Sequence, residues 1–451
     1  MSKLNKNVLL LNTPFYRLMG SHYNGLSLGI LYIAAVLRDG GHNVAVLNAD
    51  YESRSDYLDQ TGIFNGYGLY KEIHENPDHY IWNETVDEIL SHNPDYLGIT
   101  MYTANYRAAK IIAGKVKKAK PDVRVVVGGV HPTLAAMETL SSDEFDFVVL
   151  GEGEYVMLDL VNGKSAEHIA GLGYKDSNGN IFINPPCDKI IDLDSVPFPA
   201  RELIMNPSND TDFGQLITGR GCPFSCTFCA SPAMWKGKNV RLRSIDNVME
   251  ELFLITECYP HNVIYFEDDT FAMRKNITKD LCARIIKYGM NIKWKCDTRA
   301  DCVTDDLIAL MKAAGCTCIK MGVESGSETI LKKINKMITR DVIKNASRII
   351  KEHGIPLTLY LMAGFPGETD DDLRETIDFA RELDADYFSL SIVAPYFGTQ
   401  IYNDYIKSGA NLDREHWEYF YHQSGDMIMN DMLSQAVVDE FLSLNNKKTR
   451  I

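Results

Sequence analysis

Three cysteines, Cys222, Cys226 and Cys229, fall in one short run, Gly219-Arg220-Gly221-Cys222-Pro223-Phe224-Ser225-Cys226-Thr227-Phe228-Cys229. This C-x3-C-x-aromatic-C triplet offers three thiolates from a single tight loop. Four-iron clusters are normally held by four cysteines, so three protein ligands leave one iron open to a chelating substrate or cofactor. The pattern therefore points to chemistry rather than to electron storage. Zinc knuckles favour C-x2-C pairs with a matching second pair, and the bacterial ferredoxin run is C-x2-C-x2-C; neither fits. The competing reading is an incidental buried cysteine cluster, but such triplets rarely arise by accident in short loops.

The triplet resembles the signature of the radical S-adenosylmethionine (radical SAM) superfamily. That resemblance implies a 4Fe-4S cluster on Cys222, Cys226 and Cys229 whose open iron chelates the amino and carboxylate groups of S-adenosylmethionine. Reductive cleavage of the cofactor then gives a 5′-deoxyadenosyl radical, which requires an external one-electron reductant. By the same resemblance Phe228 packs near the adenine, a role compatible with its being a loop-anchoring aromatic.

The elements that must position these groups alternate in strand-like and helix-like segments. Over the first ~160 residues, Asn7–Asn12, Val44–Leu47, Tyr96–Thr100, Val123–Val127 and Phe147–Leu150 read as strands. A helix from about Leu26 to Asp39 is stopped by Gly40-Gly41. Five short strands with crossovers predict a flavodoxin-like parallel sheet, an α/β fold whose ligands sit at the strands' carboxyl ends. Those ends carry Asn12-Thr13-Pro14, Thr100-Met101-Tyr102-Thr103, Gly128-Gly129-Val130-His131-Pro132-Thr133 and Gly151-Glu152-Gly153-Glu154. Paired glycines admit close approach of a ligand to backbone, and hydroxyls supply hydrogen bonds.

Placed before a radical SAM motif, these segments resemble the cobalamin-binding domain of one large subfamily. The resemblance implies that Asn12, Thr100, Tyr102, Thr103, Gly128, Gly129, His131, Thr133, Gly151, Glu152 and Gly153 contact cobalamin. One departure stands out. The D-x-H-x-x-G pattern that supplies a histidine ligand to cobalt elsewhere is absent, and Asp39-Gly40-Gly41-His42 has the wrong spacing. The cobalt's lower face is expected to be open or covered by the Thr13–Asn24 loop, with no histidine assigned as a metal ligand.

Tyr174–Asn184 reads as a hairpin about an Asn178-Gly179 turn, and Asp192–Pro199 as an extended proline-rich linker. The sequence thus divides into a cobalamin-binding domain (1–160), hairpin and linker (161–205), a radical SAM core (206–400, starting near Asn206) and a short helical C-terminal cap (401–451). From Leu216 on, six strand–helix units predict a partial (β/α)6 TIM-like barrel, with function at the strands' carboxyl ends. An amino-acid-bearing cofactor needs acceptors for its ammonium and a cation for its carboxylate. Glu267 and Asp268 offer the first, Arg299 the second through its planar fork, and Glu324 and Ser325 reach for ribose hydroxyls. The family resemblance supports these positions and adds Gly364, because GVES-like, GFPGE-like and PY-x-GT-like segments recur at these strand ends. Helix N-capping is the competing role for any one of the acids. The resemblance spans roughly residues 5 to 400.

Composition is that of a soluble globular protein, 45% hydrophobic and 24% charged over 451 residues. Four apolar residues before Asn12 are too few for a signal-peptide core, and no apolar run has spanning length. A cytoplasmic protein with reduced thiols is expected. A net charge of −15 disfavours a nucleic-acid polyanion as partner. The other seven cysteines show no second cluster spacing and read as packing residues. The run His416–His422 reads as an aromatic cap against the open barrel edge, with lining of a substrate cavity as the alternative.

Two reaction types fit. One is a cobalamin-dependent radical SAM C-methyltransferase, in which one S-adenosylmethionine methylates cobalamin and a second yields the radical that activates an unactivated carbon. The other keeps both cofactors but performs an oxidative cyclisation or rearrangement, as in anaerobic porphyrin-ring cyclases. Methylthiolation of tRNA needs three further N-terminal cysteines, whereas the first here is Cys187. Peptide or protein residue, antibiotic intermediate, tetrapyrrole and lipid all fit as substrates.

Overall fold

The run Val8–Leu11 is buried residue after residue, as a parallel strand covered on both faces requires, and it forms an interior strand of the first sheet in the computed structural model. The structure describes residues 5–25, 27–52, 60–205, 207–235, 240–260, 262–409, 416–423 and 430–447. The chain divides into two compact units. Unit 1 comprises Met1–Leu58, Asn65–Thr211 and Gly409–Tyr421; unit 2 comprises Asp59–Phe64, Asp212–Ser408 and His422–Ile451.

In unit 1, β1 (Asn7–Asn12), β2 (Asn43–Asn48), β3 (Tyr96–Thr100), β4 (Arg124–Gly128) and β5 (Phe147–Val149) are parallel, in the order β2-β1-β3-β4-β5. The reversal of order at β1/β3 is the switch point at which such sheets bind ligands. The hairpin anticipated as a connector instead extends the sheet. Its strands, β6 (Leu172–Lys175) and β7 (Ile181–Ile183), pair antiparallel beyond β5. A free β5 edge would leave backbone groups unpaired, and the hairpin closes it. The helix that follows β1 runs Leu28–Asp39; Leu26, expected to start it, and Asn206, expected to open the second domain, lie outside the described residues.

The strands of unit 2 begin with β8 (Gln215–Leu216), followed by the two-stranded ribbon of β9 (Gly219–Arg220) and β10 (Arg241–Leu242) that brackets the cysteine loop. The sheet continues with β11 (Ile264–Phe266), β12 (Trp294–Thr298), β13 (Cys316–Glu324), β14 (Leu357–Ala363) and β15 (Tyr387–Ile392). The order β8-β11-β12-β13-β14-β15 is parallel throughout, the expected six-stranded partial barrel. Several of its helices start on side-chain caps. Ser244 accepts from Asn247 N at 3.1 Å, and Thr369 with Asp372 forms a reciprocal capping box. The helix Gln435–Leu442 buries Val437, Val438 and Phe441 in the barrel's outer core. The aromatic run is divided: His422 joins the barrel, its carbonyl accepting from Ile392 N at 2.6 Å, while the residues before it lie in unit 1. Trp417 packs on His131 and Phe420 within unit 1, its indole nitrogen donating to Glu138 at 2.9 Å, while buried Glu418 accepts from Arg107 at 3.0 Å. Three aromatics with a buried ion pair find an apolar wall and matching polar partners there.

Candidate functional site

The cysteine loop is tied to the barrel on several sides. Thr227 N donates to Ile334 O (3.0 Å), Thr227 O accepts from Ile401 N (3.1 Å), and Asn335 Nδ2 donates to Ser225 O (2.9 Å). None of the three thiols is in a disulfide. Each sulfur has a donor or hydroxyl beside it: Arg299 3.8 Å from Cys226, Ser231 N 3.4 Å from Cys229, and the Thr270 hydroxyl 4.0 Å from Cys222. Hydrogen bonds to sulfur are what tune iron–sulfur centres. Burial raises all three thiols, Cys229 to about 12, while Arg299 and Lys336 oppose the rise at Cys226. Ligation must therefore displace protons, as metal binding by thiolates does. Three undisulfided cysteines in one pinned loop with a guanidinium alongside fit a four-iron cluster.

Around this loop the expected cofactor residues divide. The Arg299 guanidinium is held by Asp301 (3.0 and 3.1 Å) and Lys336 O (2.8 Å), and lies 3.6 Å from the centre of the Phe224 ring. It is thus fixed flat against the loop. Glu324 takes a left-handed backbone (φ 70°) at the end of β13 and pairs with Lys336 at 2.7 Å. Gly364, at φ 93°, opens a loop whose Gly364 and Phe365 amides donate to buried Glu368 at 2.7 and 3.1 Å. Phe228 sits edge-on to Phe365, ring centres 5.8 Å apart. Two residues are spent on the fold. Asp268 accepts from Thr218 N and its hydroxyl, clamping β8 to β11, and Ser325 is fully buried against Thr376.

Glu267 faces elsewhere. Strand alternation turns Phe266 into the outer core and Tyr265 and Glu267 to the lumen. There Glu267 is grouped with Asp297, Lys295 and Lys320, and burial followed by Asp297 pushes its carboxyl up to about 8. Sequence reasoning missed this lumen set, along with Lys336 and Phe224. The Lys295-x-Asp297 alternation was the available signal.

The raised carboxyl sets a pH dependence. The folded chain keeps a proton on Glu267 that the unfolded chain releases near 4.5, so this group's contribution is complete below that pH and is lost as pH rises through about 8. Asp268 (about 6) and Glu368 (about 7) carry the same sign. The melting temperature is expected to drop on going from pH 5 to pH 8, with Glu267→Gln recovering about 4 °C of the loss. Equal slopes for variant and native chain in a pH series of thermal melts would contradict this assignment.

In unit 1 the strand register aligns Asn48, Asn12, Thr100 and Gly128 in one row at the carboxyl ends of β2, β1, β3 and β4. Asn12 donates to Asn48 (2.9 Å), whose own amide is held by Tyr23 O and Gly25 O. Gly129 sits at φ 106°, where a Cβ would lie 2.9 Å from Met101 O. Thr133 accepts from Gly151 N (3.0 Å) and donates to Gly129 O (2.7 Å), linking two of the strand ends. Tyr102 is 57% exposed beside them. His131 and Thr103 point the other way, bonded to each other at 3.1 Å and buried; desolvation lowers the imidazole to about 4. That is a core histidine in character. Glu152 accepts from Ile190 N at 2.9 Å, and a Cβ at Gly153 would meet Ile33 at 2.9 Å, so both serve chain packing. A row of small and amide residues at a switch point, with one crowded glycine and an exposed tyrosine, fits a flat polar-edged ligand such as a corrin.

Comparison with known proteins identifies the domains that contain the two candidate sites. The model of the radical SAM superfamily matches residues 216–380, and that of the B12 binding domain matches 21–161. An uncharacterised methyltransferase of Pyrococcus horikoshii is 32% identical over 396 residues, 86% of this chain and 80% of the relative. The anaerobic magnesium-protoporphyrin IX monomethyl ester cyclase of Rubrivivax gelatinosus is 28% identical over 69% of this chain and 58% of its own. Among solved structures, TsrM, a radical S-adenosylmethionine methyltransferase from Kitasatospora setae, superposes with a TM-score of 0.68 at 18% identity, covering 90% of this chain and 77% of that one. The chain belongs to the radical SAM superfamily, in the branch that carries an N-terminal B12-binding domain. It is an enzyme of that class, and its cofactors are a 4Fe-4S cluster, S-adenosylmethionine and cobalamin. Among the described residues no helix is long and apolar enough to cross a membrane.

Proposed function

We propose that this enzyme methylates an unactivated carbon of its substrate. The observation that carries the proposal is the likeness to a methyltransferase along 86% of the chain. The cofactors supply the reaction's hard steps, a carbon-centred radical from S-adenosylmethionine at the cluster and a transferable methyl group from cobalamin. The protein's part is to hold them and exclude water. Cys222, Cys226 and Cys229 hold the cluster. Arg299, fixed against the loop by Asp301, pairs with the cofactor's carboxylate, and Glu324, Gly364 and Phe228 complete that site. Asn12, Thr100, Tyr102, Gly128 and Gly129 form the cobalamin face. An external one-electron donor and a cytoplasmic setting belong to the same reading.

The similarity to the porphyrin-ring cyclase supports a second reading, oxidative cyclisation without net methylation. Product counting separates them. A methylase consumes two molecules of S-adenosylmethionine per turnover, a cyclase one. With cobalamin, a low-potential reductant and substrate, S-adenosylhomocysteine and 5′-deoxyadenosine are expected in about equal amounts, with deuterium from a labelled methyl group in the product. Deoxyadenosine alone, with no label transfer, would replace methylation by the cyclase reading.

A further inference from the structure

The floor of the unit 2 barrel is charged where packing alone would fill it with branched apolar side chains. Tyr265 on β11, Lys295 and Asp297 on β12, Lys320 on β13 and Tyr360 on β14 all turn inward and meet one another. Both oxygens of Asp297 are occupied by tyrosine hydroxyls, Tyr265 on one and Tyr360 at 2.9 Å on the other. The ammonium groups of Lys295 and Lys320 lie 4.9 and 4.8 Å from the centre of the same Tyr265 ring. Among the described residues neither makes a hydrogen bond or an ion pair with a carboxylate, although Asp212, Glu267, Asp297 and Cys318 stand nearby. Two half-buried like charges brought to one ring repel each other, and a cation–π contact returns about 1 kcal/mol. Glu267, raised to about 8, does not neutralise them at pH 7. Asp297, with both oxygens bonded to the tyrosines, acts on Lys320 through space, and among the described residues neither ammonium has a bonded anionic partner.

We propose that Lys295 and Lys320 bind an oxyanion, a phosphate or carboxylate carried by the substrate, with Tyr265 as the platform between them. The assignment rests on the reading that the barrel lumen receives the substrate. Lys295 and Lys320 each precede the cofactor-side residues Arg299 and Glu324 by four positions, about 13 Å along a strand. The anionic group is thereby anchored well below the strand-end ring, which selects an elongated acid over a compact neutral molecule.

The test uses the full-length protein reconstituted anaerobically with cluster and cobalamin. Limiting acetic anhydride labels lysines, and mass spectrometry reads each site with and without inorganic phosphate or succinate at matched ionic strength. At least fivefold protection of Lys295 and Lys320, with exposed lysines unchanged, is expected; whether phosphate or succinate protects better tells which oxyanion the substrate carries. Equal labelling under all conditions would overturn the proposal. So would equal protection by S-adenosylmethionine alone, which would assign the pair to the cofactor's carboxylate. In a second measurement, the phosphate-induced rise in melting temperature is expected to vanish in Lys320→Met and persist in Lys320→Arg; a full rise in Lys320→Met also overturns it. Should that variant not fold, protection in the native chain decides alone. Iron and cobalamin content are read on the same sample, so failure of the cofactor reading is distinguishable from failure of the anion site.

Discussion

Cys226→Ala protein, reconstituted anaerobically, is expected to carry almost no iron, against about four atoms per native chain. The reason lies in the ligand count. A cluster with three protein thiolates has none in reserve, and Cys226 is the sulfur that Arg299 approaches and that Arg299 and Lys336 bias toward thiolate. Cys222→Ala and Cys229→Ala should behave alike. The fold is not at stake, since the loop is half-buried and is pinned through Thr227, Ser225 and their partners rather than through sulfur. Cobalamin retention and far-ultraviolet circular dichroism should therefore match the native chain, while deoxyadenosine formation is lost. Iron content near the native value in Cys226→Ala would remove the cluster assignment.

How much of this was legible in the sequence depends on how local each signal is. The triplet and its aromatic are contiguous, and the strand-end motifs of unit 1 follow buried runs such as Val8–Leu11, whose continuous apolarity reads directly. Segments 67–75 and 80–91 were not read as helices, because Tyr70, His74 and Trp82 are buried among other aromatics and the apolar stripe is interrupted by polar residues. Long-range partners were invisible. Nothing local says that Asp268 is claimed by Thr218, fifty positions earlier, or that Ser325 is claimed by Thr376. The lumen set was hidden differently. Lys295, Asp297 and Lys320 alternate with Cys296, Thr298 and Ile319, a period-2 pattern that ordinarily marks one solvated face, and only barrel closure turns that face inward. The tail's aromatics announced burial but not which unit would bury them, because a hydrophobic run specifies area and not address.

Gly129→Ala is expected to weaken cobalamin retention at least tenfold, whereas Gly128→Ala leaves it within about threefold. The two glycines are adjacent in sequence but differ in what surrounds them. A Cβ on Gly128 would stand 3.6 Å from Val149, an ordinary contact. On Gly129 it would stand 2.9 Å from Met101 O and 3.2 Å from Met101 N, and these are backbone atoms that cannot step aside as a flexible side chain can. The φ of 106° adds strain of about 1–3 kcal/mol for any residue with a side chain. Relief requires moving Met101, and with it Tyr102 on one side and the Met101 N to Gly128 O bond of 2.8 Å on the other. Both belong to the strand-end row proposed to carry the corrin, so the damage reaches the ligand surface before it reaches the core. Gel filtration followed by absorbance of the bound cofactor measures retention, and iron content controls for unit 2. Native-like retention in Gly129→Ala would move the cobalamin face away from the β3–β4 strand ends, and equal losses in the two variants would overturn the crowding at Met101 as the cause.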